Sequence, residues 1–289
     1  MQSGAYFATQ LRQELRERNL RFAEKHRLAH RLSYGEAPVV CYEPVDGAHG
    51  NFLRATYAAI LVNTKWAKRL RKVHTSGRTS LPRNDRGFWA ELDSSNSSDA
   101  LLMNVFCYPR LFEDGRVAAM LGITGEMEIE LGFRARVPLR NGKFDRTEVD
   151  MRIGDLLVEA KLTEADFQSR EKKYVEAYRD FEEVFFRRDL PQTEERYFSY
   201  QLIRNVLAAR ALGCCFCVLH DERRPDLRES WYAVMRCVKL HELRTRCKVL
   251  TWQELAEVLP ARLKTFLAEK YGIESLNCHS LSKRQVSQS

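Results

Sequence analysis

No stretch of this chain approaches the roughly 20 continuous apolar residues that a membrane helix needs. The opening "MQSGAYFATQLRQELRERNLRF" has no apolar segment of the signal-peptide type. Both absences lead to the expectation of a cytoplasmic protein, of a bacterium or similar cell, with no membrane partner. A glycine-rich loop able to cradle phosphates is also missing, which argues against a nucleotide-driven motor. There is no internal repeat. The eight cysteines, Cys41, Cys107, Cys214, Cys215, Cys217, Cys237, Cys247 and Cys278, are scattered and do not form the spaced framework of a small secreted domain. Three of them fall in "GCCFCVLH", a short apolar run behind Gly213, which fits a buried strand better than zinc. A zinc site would want a second pair at ligand spacing, and Cys237, His241 and Cys247 fit that poorly. The seven histidines are equally dispersed. Only His26 and His30 stand at helical spacing, on a charged helix, where they read as surface residues.

What remains is a chain of 289 residues, 44% apolar and 30% charged, with material for both a core and a wet surface. Lys and Arg number 47 against 39 Asp and Glu, a net charge of +8. That balance favours a polyanionic partner, because neutralised phosphates release counterions. The most concentrated basic stretch is "KWAKRLRKVHTSGRTSLPR". Its Lys65, Lys68, Arg69, Lys72, Arg78 and Arg83 are candidates for tracking a nucleic-acid backbone, and a solvated helix end is the competing reading.

Residues 5–33 and 51–73 read as helices, with 35–50 irregular between them and a loop from His74. Residues 98–107 read as a helix begun by Ser98 or Asp99. The period then changes from helix to strand. "EMEIELGFRARVPL" alternates as a half-buried strand does, and "RNGKFDR" carries an Asn-Gly turn signal. Two further strands surround Gly154. Residues 164–188 read as a long helix with Phe167, Tyr174, Tyr178, Phe181 and Phe185 at three-to-four spacing, which points to core packing. A helix over 194–212, a strand "CCFCVLH", a helix over 228–240, a strand "KVLTW" and a helix "TWQELAEVL" with a Thr251/Glu254 capping box complete the order. The tail after Ser275 is polar. The expected architecture is a mixed sheet flanked by helices, an α/β fold, with a helical extension over 1–95, a core over 96–262 and a terminal helix with polar tail over 263–289.

The densest chemistry lies in "TEVDMRIGDLLVEAKLTE", residues 147–164. Val149, Met151 and Ile153 share one face of the first run, and Glu148, Asp150 and Arg152 the other. Gly154-Asp155 fits a two-residue loop with glycine at its first central position. That loop pairs Ile153 with Leu156 and, counting outward, Met151 with Val158, Asp150 with Glu159 and Glu148 with Lys161. Two carboxylates so opposed repel each other, and a bridging divalent cation removes the cost. Mg²⁺ takes hard oxygen ligands, and an adjacent Lys161 would orient or activate a water or steady a phosphate. A solvated strand face with a Glu148–Lys161 pair accounts for the same letters. The turn register, the apolar reverse face, the positive charge and the helices that follow favour metal-assisted phosphodiester hydrolysis.

Asp150 followed by Glu159-Ala160-Lys161 resembles the D…(D/E)xK signature of the PD-(D/E)xK nuclease superfamily, whose fold is restriction-endonuclease-like. The likeness spans roughly residues 97–258 and includes "SSDALLMNVF", "EAKLTEADF", "YQLIRN" and "VLTWQEL". It departs from the signature at Val149, which stands in place of a proline that itself varies widely across the superfamily. The resemblance implies a nuclease, with DNA the favoured substrate and a homodimer a common arrangement. It implies Mg²⁺ or Mn²⁺ on Asp150, Glu159 and the Ala160 carbonyl, with Lys161 positioning water. It further implies an upstream acid, Glu130 ahead of Glu128 or Glu126, and a glutamine, Gln201, reaching in from a later helix. The alternative on the same fold is a nucleic-acid-binding or regulatory protein that does not cut.

Overall fold

The two runs around Gly154 form a hairpin, and that hairpin makes up two of the central strands of a five-stranded sheet. The structure, a computed structural model, describes residues 4–34, 37–73 and 89–275. In chain order the sheet strands are β1 Ile129–Arg134, β2 Glu148–Ile153, β3 Leu156–Ala160, β4 Cys215–His220 and β5 Cys247–Thr251. They lie side by side in the order β5-β4-β3-β2-β1, with β1/β2 and β2/β3 antiparallel and β3/β4 parallel. The α/β class and the mixed central sheet with flanking helices are as the sequence suggests.

Burial along the strands follows from their positions. β2 alternates between half-buried and buried residues, whereas every residue of β3 is buried. A strand covered on both faces tolerates a continuous apolar run, here Leu156-Leu157-Val158. Gly154 is required twice over. Its φ of +54° suits a hairpin turn, and a Cβ there would lie 2.9 Å from the Glu126 carbonyl oxygen. The parallel β3/β4 pair demands a long crossover. It runs through the helix Tyr200–Leu212, which closes on Gly213 at φ +67° in the left-handed region. Val149, Leu157, Phe167, Tyr178, Phe181, Phe185, Ile203 and Phe216 are buried in one cluster around this arrangement.

Several boundaries differ from the periodicity. Residues 164–188 hold no long helix. They form two single turns, Lys172–Val175 and Phe181–Val184, and a short strand Arg170–Glu171 paired with Arg196–Tyr197. Tertiary bonds win over local pattern there: Arg140 N–H donates to the Ala177 carbonyl, Arg179 N–H to Pro138, and Lys239 N–H to Val184. The aromatic spacing marked anchors of an irregular segment. Phe167, Tyr178, Phe181 and Phe185 are indeed core, but Tyr174 is exposed. The 194–212 helix begins only at Tyr200, and the 228–240 helix is Pro225–Met235. The 5–33 helix ends at Lys25. The 51–73 helix breaks at Asn63, whose side chain accepts from the Lys65 and Trp66 N–H groups and so caps a new turn. Ser97, rather than Ser98 or Asp99, caps the helix Ser98–Phe106. The Thr251/Glu254 capping box is present.

By its contacts the chain divides into two compact units, Met1–Ala8 with Leu121–Leu250 and Thr9–Met120 with Thr251–Ser289. The first unit holds the sheet. The second holds the fully buried Lys270, whose ammonium donates to Asn19 Oδ1 at 2.6 Å and lies 3.8 Å from the Tyr42 ring centre. Among the described residues, no helix is long and apolar enough to cross a membrane.

Candidate active site

The hairpin ladder runs Ile153↔Leu156, Arg152↔Leu157, Met151↔Val158, as the turn predicts. One step further would set Asp150 against Glu159. The ladder ends before that step, and Asp150 Oδ2 instead accepts the Ala160 N–H at 2.8 Å. A carboxylate thus stands in for a backbone carbonyl and ties the two strands together at the site. Lys161 lies just past β3, its N–H donating to the Leu219 carbonyl of β4 at 2.8 Å. Its Nζ is 2.9 Å from Glu159 Oε1, and both side chains are almost wholly buried. The expected Glu148–Lys161 pairing is replaced by this one, while Glu148 faces Arg134 of β1 at 3.8 Å.

Glu159 is held from the helix side as well. Asn205 Nδ2 donates to Glu159 Oε2 at 2.8 Å, and the Arg204 guanidinium is 3.8 Å from the same oxygen. Arg204 also donates twice to Asn205 Oδ1, at 3.0 and 2.7 Å, which fixes the amide's orientation. Burial alone would pull the Lys161 ammonium down. The carboxylates of Glu159, Glu164 and Asp150 outweigh it and hold Lys161 above its ordinary value, so it is a cation throughout the neutral range.

The loop after Lys161 has its own anchor. Arg224 is fully buried, and it donates to the carbonyls of Leu162 at 3.3 Å, Glu164 at 2.7 Å and Ala165 at 3.0 Å. A fork onto Asp226, at 2.9 and 2.7 Å, neutralises its charge. Arg204, Asn205 and Arg224 escape a sequence reading. Asn205 stands four residues after Gln201 in "YQLIRN", the spacing that shares a helix face. Arg224 leaves no such trace, because the carbonyls it grips lie about sixty residues away in sequence.

Other candidates are placed differently. Between Leu131↔Met151 and Phe133↔Val149 the register brings Gly132 opposite Asp150. Glu130 is two positions nearer the turn and pairs with Arg152 at 3.7 Å. Glu128 precedes β1, and the Glu126 carbonyl packs beside Gly154, so both lie toward the turn end of the hairpin. Among the described residues there is no group of three or more His, Cys, Asp or Glu side chains that could hold a metal ion. Gln201 sits in the first turn of the Tyr200–Leu212 helix, on the face that carries Asn205, and its buried Oε1 has no hydrogen-bond partner. In the second unit, Arg69 and Lys72 bind Asp99 at 2.8 and 3.2 Å. Lys65 lies on the short helix Thr64–Ala67 and Lys68 on the 3-10 turn that follows. Arg78 and Arg83 lie outside the described residues.

A family model described as "Restriction Endonuclease associating with ARP" matches residues 13–272. The chain belongs to that family. No curated protein and no solved structure gives a significant match. Membership in a restriction-endonuclease family suggests a nuclease and a nucleic-acid substrate, and the mixed sheet with Asp150, Glu159 and Lys161 at its middle suits that class. The donors also suit a hard cation. Asp150 and Glu159 offer carboxylate oxygens, each with two lone pairs, and a hydrogen bond consumes one. Mg²⁺ is commonly held by one or two carboxylates, with water and substrate phosphate completing its shell.

Proposed function

We propose that this chain is a metal-dependent nuclease that hydrolyses phosphodiester bonds, with DNA as the favoured substrate. The observation that carries the reading is the buried Glu159–Lys161 ion pair at 2.9 Å, one strand away from Asp150. A buried charge pair is costly to desolvate and contributes little to stability, so its place at the strand ends speaks for chemistry. Asp150, Glu159 and the Ala160 carbonyl would hold Mg²⁺ or Mn²⁺, which supplies Lewis acidity and an acidified water when bound. Glu130 would join only by leaving Arg152. Lys161, as an ammonium, holds a phosphate oxygen or the attacking water by charge and hydrogen bond. Asn205 and Arg204 keep the Glu159 carboxylate in one orientation, and the Gln201 amide oxygen, buried without a hydrogen-bond partner on the helix face that carries Asn205, would accept a hydrogen bond from water.

The test is cleavage of supercoiled, linear and single-stranded DNA with Mg²⁺ or Mn²⁺ and with EDTA. Wild type should cut only with metal. Asp150→Asn, which keeps an acceptor for the Ala160 N–H, should not cut while retaining its circular dichroism spectrum. Unchanged cleavage by that variant overturns the assignment. Binding without cleavage by the wild type in either metal would favour the non-cutting reading, which the intact Asp150, Glu159 and Lys161 speak against.

A further inference from the structure

The segment that leaves the candidate site brings aromatic rings and cations to the surface together. Residues 168–174, "QSREKKY", carry Arg170, Lys172 and Lys173 against one acid, Glu171. Tyr174 is 46% exposed and Phe198, beside the paired strand Arg196–Tyr197, is 45% exposed. The Arg170 guanidinium lies 4.6 Å from the centre of the Tyr174 ring and 5.9 Å from that of Tyr200. Lys173 Nζ is 4.9 Å from the Tyr174 ring, with its charge shared by Glu171 at 2.7 Å. Core packing accounts for the buried Tyr178, Phe181 and Phe185 and for the inner side of the half-buried Tyr200, whose hydroxyl lies 2.8 Å from that of Tyr178, and leaves the exposed Tyr174 and Phe198 rings unexplained.

The strip is joined directly to the acidic site. Gln201 N–H donates to the Phe167 carbonyl at 3.0 Å and Tyr200 N–H to that of Gln168 at 2.9 Å. The Phe167 ring lies 5.6 Å from Lys161 Nζ. Asn205, one turn beyond Gln201, holds Glu159. At this junction Gln168 and Ser199 have φ of +60° and +55°, a left-handed conformation that non-glycine residues adopt at a cost. Such strain gathers at sites of function.

Cations alone are enough to track the phosphates of a duplex, whose bases are stacked out of reach. An exposed ring flanked by a guanidinium serves unpaired bases, which stack on aromatic and guanidinium planes alike. We propose that Arg170, Lys173, Tyr174 and Tyr200 form a platform for an unpaired stretch of DNA leading to the candidate active site. Tyr174 stacks a base, Arg170 extends that stack toward Tyr200, and Lys173 meets a flanking phosphate. The substrate class is then single-stranded DNA or a duplex with an unpaired strand. The fate of that DNA rests on the nuclease reading above; its binding does not.

The experiment is fluorescence anisotropy on the full chain in EDTA, with a labelled oligonucleotide of about 16 nucleotides as single strand and as duplex. The single strand should bind about tenfold tighter than the duplex, and Tyr174→Ala should remove about tenfold of that affinity, as loss of one stacked base does. Tyr174→Phe should bind as wild type, because the ring face is kept. Arg170→Gln with Lys173→Gln should flatten the salt dependence of binding. Duplex bound as tightly as single strand overturns the platform, as does unaltered single-strand affinity in Tyr174→Ala. Tighter binding of the same sequence as RNA overturns the DNA assignment. If the platform behaves as described and wild type never cuts with Mg²⁺ or Mn²⁺, the nuclease reading falls alone. If wild type cuts and Tyr174→Ala binds fully, the platform falls alone.

Discussion

Two buried lysines in this chain meet opposite surroundings. Lys161 has Glu159 at 2.9 Å, and the carboxylates of Glu159, Glu164 and Asp150 raise its pKa despite burial. Lys270 is as deeply buried, and burial drives its pKa well below the ordinary lysine value. Its neighbours are Asn19 Oδ1 at 2.6 Å and the rings of Tyr42, Phe22 and Tyr271, of which Tyr42 at 3.8 Å offsets part of the desolvation. The difference separates two uses of one side chain. Where acids surround it, the amine is a fixed cation that can meet a phosphate. Where rings and an amide surround it, the amine packs between helices and its charge is a liability.

That contrast breaks first at Lys161. Lys161→Met should abolish cleavage and also cost about 3–5 kcal/mol in urea unfolding, because Glu159 is left buried with only neutral and partial support. A variant of unchanged stability would show that Lys161 is no more bound to its acid than Lys270 is. Arg224→Lys comes next. It keeps the charge and loses the fork onto Asp226 and part of the carbonyl clamp, so about 1–3 kcal/mol of stability should go. Metal-dependent cleavage should slow with substrate affinity unchanged, because the loop after Lys161 loses its anchor.

Lys270→Met sharpens the comparison from the other side. At neutral pH it should be neutral or stabilising by about 1 kcal/mol, as removal of a buried charge often is. A depressed lysine pKa means the unfolded chain binds more protons between the folded value and about 10.4. Wild-type stability should therefore rise with pH across that window relative to Lys270→Met, as urea midpoints would read. Lys161, whose pKa is raised, adds no slope there. Tyr178→Phe should cost about 0.5–1.5 kcal/mol for each of the two hydrogen bonds its hydroxyl makes, to Asp145 and to Tyr200. Tyr178 Oη donates to Asp145 Oδ2, which also accepts from Thr147 at its other oxygen. Burial pushes the Asp145 carboxyl up, yet hydrogen bonds from Thr147 and Tyr178 and the charge of Arg204 bring it below its usual value. The stability so gained is full above about 3.9 and lost as pH falls through the depressed pKa. The wild-type advantage over Tyr178→Phe should shrink across that acid limb.

The hairpin was legible because its turn and its alternation agree: Gly154 permits a positive φ, and one register buries Val149, Met151 and Ile153. The helix expected over 164–188 misled because anchoring residues of an irregular segment can repeat at helical spacing by chance. Three-to-four periodicity records which residues are buried, and a loop pinned by Arg140, Arg179 and Lys239 buries them too. The upstream acid stayed open for a related reason. Alternation offered Glu126, Glu128 and Glu130 equally, and only the pairing of β1 with β2 shows that Gly132 faces Asp150.

By itself the sequence determined the local order of this protein: the strand period, the turn at Gly154, the cap at Thr251, and three residue types at a spacing suited to metal and phosphate. Local rules suffice for these because each depends on neighbours a few residues away. Tertiary structure alone decided the partners of the buried charges. Glu159 finds Asn205 from a helix 46 positions on, and the loop after Lys161 is gripped by Arg224 some sixty positions on. Long-range electrostatics and hydrogen bonding of this kind depend on packing geometry, which no short window of letters contains.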